Sequence, residues 1–139
     1  MKLFEEKYGT LEYDSTVPCI TATFNGFMSS EQFRSFLDKG LDYLIEKKKL
    51  HDKILWLGDT RKHVVQPDKD TQWVADIWNP RALKGGIYHV AFVLPENVFG
   101  NASVKRYADS TLKKKDEMSV QMFGDINSAK QWFRNLKVE

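Results

Sequence analysis

Ile54-Leu55-Trp56-Leu57, lying between a charged run and Gly58-Asp59, is continuously apolar over the length of a short strand. A strand with one wet face alternates, whereas one covered on both faces reads as an unbroken apolar run. Ile87-Tyr88-His89-Val90-Ala91-Phe92-Val93-Leu94 has the same character. Both stretches therefore read as interior parallel strands. Parallel neighbours need a crossover, and the segment between them supplies one: within Asp68 to Trp78, the apolar residues Trp73, Val74, Ile77 and Trp78 fall at helical spacing. Asn79-Pro80 should stop or kink that helix, or start a further short turn, and Gly85-Gly86 ends the unit.

Toward the N-terminus, Thr10 to Asp14 alternates weakly, Ser15-Thr16-Val17-Pro18 interrupts, and Ile20, Ala22 and Phe24 then share one side of a second alternating run. This is a hairpin. The polar other side, Cys19, Thr21 and Thr23, suits a half-covered region near a sheet edge, and Asn25-Gly26 closes it. Ser29-Ser30-Glu31-Gln32 has the form of a capping box, and Phe33, Phe36, Leu37, Leu41, Leu44 and Ile45 then draw one apolar stripe over about four helical turns. Lys47, Lys48 and Lys49 sit where the negative end of the helix dipole attracts them. Toward the C-terminus, Asn101 can cap a weaker helix through Leu112; Met118, Val120 and Met122 alternate as a last strand; and Asp125 can cap a helix whose face is Ile126, Ala129, Trp132, Phe133 and Leu136.

The expected order is ββαβαβαβα: an α/β chain with a mixed, largely parallel sheet of about five strands and four helices, joined by right-handed crossovers. No repeat, linker or low-complexity tract divides residues 1–139, so one domain is expected. Composition agrees. The chain is 42% hydrophobic with 21 basic against 19 acidic residues, which excludes a disordered or strongly basic nucleic-acid-binding class, and it has no apolar run of the roughly 20 residues that span a bilayer. Met1 to Glu6 lacks a secretory pattern, and one cysteine forms no internal disulfide, so a reducing cytoplasm is the expected compartment.

Neither Gly-x-x-x-x-Gly-Lys nor Gly-x-Gly-x-x-Gly nor Gly-x-Ser-x-Gly occurs, and Gly85-Gly86 precedes a strand rather than following one. Cys19 in mid-strand reads as a small core residue. His51, His63 and His89 are too scattered for a metal motif, so neither metal nor cofactor is expected. Fold physics directs attention instead to the carboxyl ends of the parallel strands, where open α/β sheets meet ligands and partners. After Ile54 to Leu57 that end is Gly58-Asp59-Thr60-Arg61-Lys62-His63, read as a loop in which Asp59 caps a turn or orients Arg61 and Thr60 offers a hydroxyl to a kinase. A solvated loop with Asp59 serving the turn is the plainer alternative. Phe99, after the next strand, belongs to the same rim. Trp73 and Trp78, five positions apart, diverge by about 140 degrees around a helix, so one is free to line a groove or a subunit contact. Surface aromatics of this kind leave a homodimer open.

The hairpin, the helix beginning Ser29-Ser30-Glu31-Gln32-Phe33, Leu57-Gly58-Asp59-Thr60-Arg61, Gln72-Trp73 to Trp78-Asn79-Pro80-Arg81, Val90 to Pro95, and Phe123-Gly124-Asp125 to Trp132-Phe133 together resemble a SpoIIAA-like protein of the STAS and CRAL-TRIO-related group. The likeness covers about residues 10 to 136. It implies a small non-enzymatic switch or binding module, with a protein partner or small ligand and no nucleic acid, whose phosphorylatable residue stands near the helix after a central strand. Thr60 is the nearest hydroxyl here, although the usual Asp-Ser-Ser-Gly stretch of those domains is absent. The CRAL-TRIO side of the likeness implies the alternative of an apolar-ligand or lipid carrier. An enzyme is a third reading, since residues distant in sequence can still converge.

Overall fold

The computed structural model describes residues 1–63, 66–95 and 118–136. Its strands are β1 (Lys2–Glu6), β2 (Gly9–Asp14), β3 (Cys19–Gly26), β4 (Leu55–His63), β5 (His89–Val93) and β6 (Ser119–Phe123). They form a six-stranded sheet in the order β1-β2-β3-β4-β5-β6. The first three strands pair antiparallel, and β3 to β6 run parallel. The class is therefore α/β with a mixed, mostly parallel sheet, as expected. The sixth strand is β1, which lies outside the expected hairpin. Three of its five residues, Lys2, Glu5 and Glu6, are charged and exposed, so it lacks the apolar run that announces an interior strand. Because β1 and β2 lie outside it, β3 is an interior strand and not one near the edge.

Among the described residues the helices are α1 (Ser30–Lys48), α2 (Asp68–Trp73), α3 (Asn79–Lys84) and α4 (Ile126–Arg134), with a π-helical turn at Val74–Trp78 joining α2 to α3. At the start of α1 the capping box is complete: Ser29 Oγ accepts from the Gln32 N–H at 3.1 Å, and the Gln32 side chain accepts from the Ser29 N–H at 3.0 Å. Asp125 caps α4 in the expected way, accepting from the Ser128 N–H at 2.7 Å. Asn79-Pro80 opens a further short helix, one of the alternatives its sequence offers, rather than stopping the helical path. The Asn79 N–H reaches back five residues to the Val74 carbonyl, and the chain continues helical through Lys84. A widened turn makes room for a ring that would otherwise collide with the carbonyl four residues earlier. Gly86, at φ +86°, then ends the helix: its N–H donates to Leu83 O at 3.0 Å and that of Ile87 to Ala82 O at 2.9 Å, a Schellman closure. The expected helix from Asn101 to Leu112 lies outside the described residues.

Strand alternation divides the core in two. On one face Ile20, Ala22, Trp56 and Val90 meet Phe36, Leu41 and Leu44 of α1 and Trp78 and Ala82 of the second helical stretch. On the other, Cys19, Leu55, Leu57, Ala91 and Val93 lie beneath Ala129 and Phe133 of α4. Both faces of β4 are thus covered, which is why Leu55-Trp56-Leu57 carries no polar residue. The described residues contain no helix long and apolar enough to cross a membrane.

Candidate functional site

The segment after Leu57 is not a loop. β4 runs on through His63, so Asp59 and Arg61 are two positions apart on one side of a strand. Asp59 stands opposite Thr23 in the β3 ladder, in line with Leu57 opposite Thr21, and is only 6% exposed. A carboxylate so nearly dry needs a partner, and Arg61 supplies it as a two-pronged grip. Nε donates to Oδ1 at 2.9 Å and Nη2 to Oδ2 at 2.8 Å, while the Arg61 backbone N–H adds a third bond at 3.2 Å. The bond and charge of Asp59 raise the Arg61 guanidinium above its ordinary range. Arg61 is itself 44% exposed, so Asp59 holds a fixed cation whose outer edge faces solvent, with the Asp125 carboxylate near enough to add its charge. The expectation that Asp59 orients Arg61 holds at residue level, but on a strand end and not in a turn.

The other expected rim residues go separate ways. Thr60 is half-buried, and its hydroxyl donates to the Val93 carbonyl at 2.9 Å, tying β4 to β5. Phosphoryl transfer to it requires that bond to open. His63 turns to the α1 side, its ring centroid 5.0 Å from that of Phe24 and 6.1 Å from that of Phe33. Phe99 lies outside the described residues. Trp78, 2% exposed, is a core residue and lines neither groove nor subunit contact: its ring sits 5.3 Å from that of Trp56, and its Nε1–H donates to Leu37 O at 2.9 Å. Trp73 is partly buried, with the Arg34 guanidinium 5.5 Å over its ring. The aromatic pair that motivated an apolar-ligand carrier is thus accounted for by packing.

Three further groups emerge that spacing did not reveal. Phe27, between β3 and α1, is 69% exposed at the same end of the sheet. Beside the rim, a polar groove of about 560 Å³ runs between the open side of the hairpin and the flank of α4, lined by Glu12, Asp14, Thr21, Thr23, Ile126 and Lys130 among others. Within it Lys130 Nζ meets Asp14 Oδ2 at 3.1 Å, and Asp14 also accepts from the Thr16 N–H and hydroxyl, which lowers its carboxyl to about 2. Thr21 and Thr23 were visible in the sequence as the polar side of β3; their alignment with α4 was not. Third, Asp70, wholly buried, accepts from Ser30 Oγ at 2.8 Å, Gln66 Nε2 at 2.7 Å and Arg34 Nε at 3.2 Å. These bonds outweigh burial and hold its carboxyl below the usual range. This fully used set locks the start of α2 to the start of α1.

Among the described residues, no three His, Cys, Asp or Glu side chains are placed to hold a metal ion. Cys19 is buried, and burial pushes its thiol up, away from the thiolate a nucleophile requires. No protein-family model and no curated protein matches the chain.

Proposed function

We propose that the protein is a non-enzymatic regulatory or binding module of the SpoIIAA-like, STAS-related kind. Its working surface is the rim at the carboxyl end of β4, together with the groove beside α4. One observation carries this reading: Asp59 spends its whole carboxylate on holding Arg61, leaving the outer edge of the guanidinium presented at the strand end where partners meet an α/β sheet. A guanidinium fixed this way loses little freedom on meeting a carboxylate or phosphate, so it favours recognition of an anionic group on a partner protein or small ligand. A reducing cytoplasm suits the buried free thiol of Cys19.

The test pairs binding with activity. Immobilised wild-type protein, Arg61→Ala and Asp59→Asn are exposed to cell extract, and retained proteins and small molecules are identified by mass spectrometry. A specific species held by wild type and lost from both variants, with circular dichroism unchanged, supports the proposal. Binding indifferent to both substitutions, or turnover in a hydrolase and transferase screen, overturns it.

A further inference from the structure

His63 ends β4 opposite Gly26, the last residue of β3. Its ring lies nearly parallel to Phe33, at 18°, and tilted against Phe24. Although the residue as a whole is half-buried, both Nδ1 and Nε2 are sealed from solvent, and among the described residues neither makes a well-formed hydrogen bond, the Gly26 backbone being near enough only to interact weakly. A neutral imidazole tolerates this poorly; an imidazolium, with two N–H donors and a charge to solvate, tolerates it far less.

Among the described residues only the Gly26 backbone favours a charge on the ring. From β3 the ring faces Phe24 and Gly26, and from α1 it faces Phe33, none of them ionisable. Arg34, next to Phe33, is committed to Asp70, and Arg61 is committed to Asp59; Glu31 and Lys62 are exposed. Burial accordingly lowers the ring from its ordinary 6.5, with only the Gly26 backbone acting in the opposite direction. The faces of Phe24 and Phe33 attract a cation weakly, and the Gly26 carbonyl is a single weak acceptor where an imidazolium has two N–H groups to satisfy.

We propose that His63 is a proton-operated latch: neutral, it fastens the end of β4 between β3 and α1; protonated, it leaves the Phe24–Phe33 slot and frees the strand end that carries Arg61. The latch needs no partner, so it stands or falls apart from the binding role of the rim.

Amide hydrogen exchange of the whole chain, followed by NMR at about pH 7.5 and about pH 5 and expressed as protection factors, reads it directly. A local opening coupled to one proton should lower protection at residues 24–26 and 61–63 by roughly tenfold at the acid pH, while Leu55 to Leu57 keep theirs. His63→Phe and His63→Leu should each abolish the difference, and His89→Phe should retain it. The latch is refuted by protection at the strand end that does not change with pH, by a fall that persists in a folded His63 variant, or by a ring that titrates at 6.5 or above while keeping its contacts to Phe24. If neither variant folds, the wild-type ring titration decides alone.

Discussion

Gly40 sits in the middle of α1, where glycine is ordinarily a liability. Exchanging a helical glycine for alanine usually gains up to about 1 kcal/mol. Here a Cβ would collide with Cη2 of Trp56 and stand 2.7 Å from its Cζ3, and the indole is buried between β4 and the helices. Overpacking of that kind costs about 1–3 kcal/mol, so Gly40→Ala should be destabilising despite the better helix residue, seen as a lower urea midpoint with an unchanged slope. Asp70 gives the opposite lesson, since there the loss is of a partner. Asp70→Ala strands Ser30, Gln66 and Arg34 around a vacated buried acceptor and should cost about 2–4 kcal/mol. Ser30→Ala, which removes one of three donors, should cost about 1 kcal/mol. Equal losses in the two variants would show that the three donors do not contribute separately.

Among the elements, α4 shows how a short helix is held to a sheet. Nine residues are too few to be helical alone. Its start is fixed by Asp125, and its end is fixed by a residue from another part of the chain. Lys53 Nζ donates to Phe133 O at 3.0 Å and to Leu136 O at 2.8 Å, and lies 4.5 Å over the Phe133 ring. A cation there satisfies open carbonyls and meets the negative end of the helix dipole. Lys53→Met keeps the stem but removes the donor; a loss of about 1–2 kcal/mol is expected, with a change in the emission of Trp132 on the same helix. What could be read from sequence follows the same division. The Ser29 box, the Asp125 cap and the stripe of α1 are local signals, and each is where its residues indicated. β1 was hidden because an edge strand needs no apolar run. The far half of β4 was hidden because Asp59-Thr60-Arg61-Lys62-His63 has the composition of a turn; only its pairing with β3, across a register shift between Thr23 and Asn25, makes it a strand. The turn begun at Asn79-Pro80 was legible as an alternative, but the π turn that leads into it was not, for Val74 to Trp78 carries no mark of one. Arg61 and its orientation by Asp59, two positions away, were legible, whereas the groove along α4 depends on elements far apart in sequence.

For the molecule as a whole, these placements set how stability responds to pH. His63 and His89 are both lowered by burial, His89 packing 5.3 Å from Phe133 with Lys53 also opposing its charge. A histidine lowered in the folded state binds its proton sooner when unfolded. Its contribution is complete above the unfolded value of 6.5 and is lost as pH falls from there through the folded value. Each can therefore remove at most about 1.4 kcal/mol per pH unit in that window. The carboxylates act in a separate, lower window. Asp14, at about 2, and Asp70, also lowered, stabilise above the ordinary 3.8, and that support disappears as pH falls through their folded values. Urea titrations should consequently show one decline beginning just below neutrality and a second beginning near pH 4. His63→Phe combined with His89→Phe should flatten the first and leave the second, whereas Asp14→Asn should soften only the second. A first decline that survives in the double variant would mean that protons enter elsewhere, and that the aromatic slots around these two rings do not exclude charge.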